Sequence, residues 1–277
     1  MPALDDRYLD LRLHLARTGP CIVAFSGGVD STFLLKVAHD VLGSGVQAFT
    51  AVSSSLAASE RAEAVSLARL IGATHRLVET HELNDPGYLA NDGRRCFFCK
   101  RELFRVLGTI ARQAGGLPVL YGAIPDDLGD DRPGMRAAEE SGARAPLIEA
   151  GLTKSMIREL SKRLRLPTWD KPAMACLASR IPASTPVTVE ALGRIERAEA
   201  AVRSLGYRQV RVRLEADGSA RIELDREVLD RALSPEGRRA LSGAVLAAGF
   251  PGVSIDPRGY RPSGVLPPGA RLEASSR

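Results

Sequence analysis

The chain has 277 residues, enough for one large or two modest domains and for a packed core without disulfide or metal staples. With 44% hydrophobic and 26% charged residues it is not a disordered chain, and no apolar window approaches the 18 residues of a membrane span. Net charge is +5, but all except five of the 38 basic residues are arginine, scattered without blocks of like charge, so neither a nucleic-acid nor a membrane partner is expected.

The N-terminal stretch MPALDDRYLDLRLHL is acidic and amphipathic, unlike a basic-then-apolar export leader. Four cysteines are too few for a disulfide scaffold, and the expected location is the cytoplasm. Residues 21–25 (CIVAF) read as a strand that stops at Ser26-Gly27-Gly28, and helical spacing resumes over 31–42. A second strand over 46–52 and a helix over 59–71 follow, with Glu60 and Glu63 in the helix's first turn, where the dipole favours anions. A third strand is read at 75–78, a helix at 100–113, a fourth strand at 118–121 and a helix over 153–164 with Thr153 as N-cap. Strands alternating with helices over residues 1–183 predict an α/β fold with a doubly wound parallel sheet.

The pattern changes at the linker-like Pro182-Ala183-Ser184-Thr185-Pro186. Beyond it the sequence predicts a helix (189–205), two strands (209–214 and 220–224) turning at Asp217-Gly218, a helix (235–248) and a strand (253–256). Residues 187–260 are therefore expected to form a smaller C-terminal α+β domain, and 262–277, rich in Pro, Gly and Ser, a mobile tail.

Ser26-Gly27-Gly28-Val29-Asp30-Ser31 lies between the first strand and the first helix. The glycines allow a tight turn and close approach to a ligand, while amides at the helix start and the two serine hydroxyls can cradle a diphosphate. An isolated glycine turn can merely cap a helix; the whole hexapeptide in this setting argues for a phosphate site. Neither GxxxxGK[ST] nor GxGxxG occurs. Cys96-Phe97-Phe98-Cys99 precedes the helix read from Lys100. Zinc, a redox pair, an iron–sulfur site and inert thiols are all open for a single CxxC, although no second ligand pair completes a structural zinc site. Cys176, with Lys171 and Arg180 nearby in sequence to lower its pKa, is the third candidate, and Cys21 reads as a core residue. Three cysteines could hold three irons of a 4Fe-4S cluster and leave one iron open to hydrosulfide. Arg211 and Arg213 alternate, so both leave one face of a strand and could fork onto a phosphate.

The hexapeptide resembles the pyrophosphate (PP) loop of the N-type ATP pyrophosphatases, an adenine nucleotide α-hydrolase-like fold. The resemblance implies ATP cleavage between α and β phosphates, with Ser26, Gly27, Gly28, Asp30 and Ser31 on the pyrophosphate and Asp30 acting with Mg2+. Three further segments, from Tyr121 to Gly134, from Ala145 to Arg158 and from Asp170 to Pro182, resemble the LarE sulfur transferases of nickel-pincer cofactor synthesis. That likeness implies a small-molecule mononucleotide substrate, pyridinium-3,5-biscarboxylic acid mononucleotide, whose carboxylates are adenylated and converted to thiocarboxylates. It also implies Gly122 and Asp127 at the nucleotide, Arg211 and Arg213 at the substrate phosphate, and Glu199 and Glu223 at substrate or metal. One style of the family spends a single cysteine, matching Cys176, as sulfur donor; the other carries three on a cluster that passes on added sulfide. Cys96, Cys99 and Cys176 match the second style. Where the family reads GTNxDD this chain has Gly122-Ala123-Ile124-Pro125-Asp126-Asp127, leaving the asparagine's role unfilled. A homo-oligomer is expected. The rival readings are sacrificial donation from Cys176, a tRNA thiolase, which should carry an RNA-binding extension or basic stripe, and a nucleotide-sensing or metal-storage protein without the chemistry.

Overall fold

The computed structural model describes residues 3–128, 133–172 and 175–260. The expected tail at 262–277 lies outside the described residues, as do Asp131, Arg132, Ala173 and Met174 of the family-like segments. The chain divides into two compact units, one of residues 1–89 and 94–174, the other of 90–93 and 175 onward.

The first unit runs α1 (Leu4–Thr18), β1 (Cys21–Ala24), α2 (Val29–Leu42), β2 (Val46–Val52), α3 (Ala58–Ile71), β3 (Thr74–Glu79), α4 (Pro86–Leu89), α5 (Arg95–Gln113), β4 (Val119–Tyr121), α6 (Pro133–Glu140), α7 (Pro146–Glu149) and α8 (Lys154–Arg163). Its four strands are parallel in the order β3-β2-β1-β4. Because side chains alternate along a strand, Cys21 and Val23 enter one core and Ile22 and Ala24 another. The first core takes Phe33, Leu34 and Val37 of α2, Leu67 and Ile71 of α3, and Leu11 and Leu15 of α1. The second takes Leu103, Phe104 and Leu107 of α5 with Ala138 of α6. Both faces are thus covered, as a doubly wound parallel sheet requires.

Most boundaries shift by one or two residues, and one shifts by five. The helix read from Lys100 begins at Arg95, which places Cys96 and Cys99 inside its first turns. Cation–ring contacts cover the added turn: the Arg101 guanidinium lies 5.6 Å from the Phe97 ring centre and 5.0 Å from that of Phe98, and Arg136 of α6 lies 4.7 Å from Phe97.

The second unit holds α9 (Val189–Ser204), β5 (Val210–Leu214), β6 (Ala220–Leu224), α10 (Leu229–Leu233), α11 (Pro235–Ala247) and β7 (Val253–Ile255), with strand order β5-β6-β7. Thr188 and Ser234 cap α9 and α11 through their hydroxyls, accepting from Ala191 N (3.1 Å) and Gly237 N (3.0 Å). In the antiparallel β5–β6 pair, Val212 faces Ile222 and Leu214 faces Ala220 on the buried side. The other side pairs Arg211 with Glu223 and Arg213 with Arg221, so the hairpin is apolar on one face and charged on the other.

Candidate active site

The loop that leaves β1 is closed by its own hydroxyls. Ser31 Oγ donates to Gly28 O (3.2 Å), lies 3.0 Å from Ser26 Oγ and accepts from Ser26 N (3.3 Å). Thr50 Oγ1 donates to Phe25 O (2.7 Å), tying the loop's entry to β2. Gly27 has φ +71°, a backbone only glycine adopts without cost, and a Cβ there would stand 3.3 Å from Ala64 Cα of α3. Gly28 is the N-cap of α2, so that helix's first amides open toward the loop. Gly122, one residue past β4, packs on the same spot: a Cβ would lie 3.0 Å from Ser31 N. Its part is to let β4 approach the loop.

Asp30 and Lys154 meet in front of this turn. Lys154 Nζ lies 2.6 and 2.8 Å from the two Asp30 carboxylate oxygens. Burial lifts the Asp30 carboxyl above the ordinary range despite Lys154; neighbouring Asp127 pushes the same way, and Arg158 opposes it weakly. Lys154 is held by its own backbone, its amide donating to Asp126 Oδ2 (3.0 Å), while Asp127 Oδ2 accepts from Ile124 N (3.1 Å). Thr153 therefore does not cap α8 through its hydroxyl; the Asp126 carboxylate serves its first amide. Lys171 was read as a neighbour of Cys176. Here its Nζ instead donates to Gly27 O (3.3 Å), Glu60 (3.3 Å) and Glu63 (2.8 Å). Arg158 fixes that segment by donating to the carbonyls of Trp169 (2.8 Å) and Lys171 (2.9 Å). At the neighbouring strand ends Glu82, buried, accepts from the hydroxyls of Ser53 and Ser55.

In the second unit the charged face of the hairpin is a network. Glu223 Oε1 accepts from Arg213 Nε (2.6 Å) and an Arg221 nitrogen (2.8 Å), while its buried Oε2 has no hydrogen-bond partner among the described residues. Arg221 also reaches Asp256 (2.9 Å), and Arg211 lies 4.4 Å from the centre of the Tyr260 ring. Burial lowers the Arg211 pKa against the favourable influence of Tyr260.

The asparagine synthase family profile matches residues 11–86, which carry β1, the loop, β2 and β3. An uncharacterized protein of Synechocystis is 44% identical over 258 residues, 93% of this chain and 96% of that one. An uncharacterized protein of Methanocaldococcus jannaschii is 26% identical over 194 residues, 69% and 73% of the two chains. The pyridinium-3,5-bisthiocarboxylic acid mononucleotide synthase of Lactiplantibacillus plantarum is 37% identical over 240 residues, 86% of each chain. The chain belongs to the LarE family.

Within this LarE-family fold the residues read from the sequence fall into three groups. Ser26, Gly27, Gly28, Asp30, Ser31, Gly122 and Asp127 gather around the loop of the first unit. Arg211, Arg213 and Glu223 share the charged hairpin face of the second. Glu199 stands apart from that face's pairing: it is 1% exposed, and its oxygens accept from Arg180 Nε (2.8 Å), Arg203 (2.8 Å) and Val212 N (3.2 Å). Cys96 and Cys99 lie three residues apart at the start of α5, and Cys176 belongs to the other unit. Cys21 is buried, and desolvation pushes its thiol up to about 12, as suits a core residue. Among the described residues, no three His, Cys, Asp or Glu side chains within either unit group as a metal site. No helix among them is long and apolar enough to cross a membrane. The sequence reading gave no role to Lys154, since nothing local marks a lysine that meets an aspartate 124 positions away.

Proposed function

We propose that the chain is an ATP-dependent sulfur transferase that converts the carboxylates of pyridinium-3,5-biscarboxylic acid mononucleotide to thiocarboxylates. The observation that carries the reading is the SGGVDS turn at the head of β1, in a chain 37% identical to a synthase named for the bisthiocarboxylic product. A substrate carboxylate oxygen attacks the α-phosphorus of ATP and pyrophosphate leaves, giving an acyl-adenylate. A sulfur nucleophile then attacks the acyl carbon, AMP leaves, and the thiocarboxylate remains. The α2 amides with Ser26 and Ser31 would hold the departing pyrophosphate, where donors aimed at developing charge each contribute about 100- to 1,000-fold in rate. Asp30 and Asp127 would hold Mg2+, and Lys154, on Asp30 here, would be released to the phosphates. Arg211 and Arg213 would fork onto the mononucleotide's phosphate.

The thiols fit an iron–sulfur group by their chemistry. Cys96 and Cys176 are exposed and Cys99 half-buried, so iron and sulfide can reach these thiols, whereas Cys21 is sealed in the core. Cys96, Cys99 and Cys176 would hold a 4Fe-4S cluster, which when bound supplies an iron open to hydrosulfide. The test is product analysis with ATP, Mg2+, the dicarboxylic mononucleotide and sulfide under anaerobic conditions. AMP, pyrophosphate and thiocarboxylate are expected, many per chain, with the mass of Cys176 unchanged. ADP and orthophosphate would overturn the reading, and a single turnover that strips hydrogen sulfide from Cys176 would replace the cluster with a spent donor.

A further inference from the structure

The Cys176 thiol is exposed, yet the backbone that carries it is held from inside the second unit. Cys176 precedes a short 3-10 turn, Leu177–Arg180, and its carbonyl accepts from Ser179 N (2.9 Å). The same carbonyl accepts from an Arg180 guanidinium nitrogen (3.1 Å), which also donates to Ala175 O (2.6 Å) and Ser179 Oγ (3.0 Å). The other edge of that guanidinium, only 3% exposed, grips Glu199 through Nε (2.8 Å) and NH2 (3.3 Å). Glu199 is in turn fixed by Arg203 of α9 and by the Val212 amide of β5. Arg213 adds a bond to Ser179 O (3.1 Å).

We propose that Arg180 and Glu199 are positioning residues: together they lock the turn that presents the Cys176 thiol. A buried ion pair brings little net stability over a hydrophobic pair of equal volume, so its retention needs another reason. A planar fork that serves a carboxylate on one edge and two consecutive carbonyls on the other supplies it. A lysine could satisfy Glu199 but not both edges. Glu199, which the family likeness placed at substrate or metal, thus reaches the chemistry through Arg180.

The proposal rests on Cys176 being the sulfur-handling thiol, and its test separates the two. In metal-free full-length protein, iodoacetamide labelling of each cysteine is followed by mass spectrometry for the parent, Arg180→Lys and Glu199→Asp. Cys176 should label several-fold faster in both variants while Cys96 keeps its parental rate. In reconstituted protein Arg180→Lys should lower kcat up to about 100-fold, the penalty for an ångström-scale misplacement. KM for ATP and for the mononucleotide should stay within about twofold. Parental labelling of Cys176 together with parental kcat would overturn the anchor. Should the variants fail to fold, hydrogen exchange on the parent decides: the Ser179 and Ile181 amides, bonded to Cys176 O and Ala178 O, should be protected like strand amides, and loop-like exchange there would refute the proposal. If Cys176→Ser remained active, the assignment of the thiol would fall, while labelling would still decide the anchor.

Discussion

Glu199→Ala removes a carboxylate that is 1% exposed and strands the Arg180 guanidinium, itself 3% exposed, without its anion. Breaking a buried pair from one side costs about 3–5 kcal/mol, because the remaining charge is neither solvated nor paired. The Val212 amide, on the edge strand β5, loses its acceptor as well, which alone costs about 1–3 kcal/mol. The two losses share one site and will not simply add, so about 4 kcal/mol is expected, a large part of a domain's usual 5–15 kcal/mol. Urea unfolding followed by far-UV circular dichroism measures it: with a slope near 2 kcal/mol/M the midpoint should fall by about 2 M. The double variant Glu199→Leu with Arg180→Met leaves no unpaired charge at the pair and should recover all but about 1–3 kcal/mol, the residue being the orphaned Val212 amide. A single-variant midpoint within about 0.3 M of the parent, below the error of the extrapolation, would refute the reasoning. So would a double variant no better than the single one.

Burial raises the Asp30 pKa, so the protonated form contributes stability below the ordinary carboxylate pKa, and that stability is lost as pH rises through the raised value. Asp30→Asn should therefore be at least as stable as the parent in thermal denaturation at pH 7, gain less on acidification, and make no AMP. Gly122→Ala sets a methyl 3.0 Å from Ser31 N, so AMP formation should fall sharply while overpacking costs about 1–3 kcal/mol in thermal unfolding. Cys96→Ser with Cys99→Ser should abolish iron uptake on anaerobic reconstitution, measured by iron analysis and absorbance, whereas Cys21→Ala should keep it, the Cys21 thiol being buried. Arg211→Ala and Arg213→Ala should each weaken mononucleotide binding by about 1.5–3 kcal/mol in calorimetry, with lysine recovering only part.

The glycine turn and its two flanking elements were legible because everything that makes them is local: an apolar run, two glycines and a helical spacing within about twenty residues. The hairpin face was legible for the same reason, since alternation alone puts Arg211 and Arg213 on one side. What the sequence did not show depends on distant partners. Lys154 and Lys171 reach Asp30 and Gly27 across more than a hundred positions, and polarity gave no hint of it. At the early start of α5, Phe97 lies under Arg136 of another helix, a contact that local spacing does not show. The family likeness set Glu199 at substrate or metal; only the fold makes it the carboxylate partner of a buried arginine.

The order β3-β2-β1-β4 has a consequence for the carboxyl ends of the strands in the first unit. From β1 the chain winds outward through β2 to β3, then crosses back to lay β4 on the opposite flank. The connections that leave β1 and β4 lead to helices on opposite faces, α2 on one and α6 on the other, the arrangement that parts neighbouring strand tips in an open α/β sheet. In this chain the seam at that parting is only as wide as Gly122 and Ser31 allow. Topology chooses where the strands part, and a missing methyl group sets how closely the two sides approach.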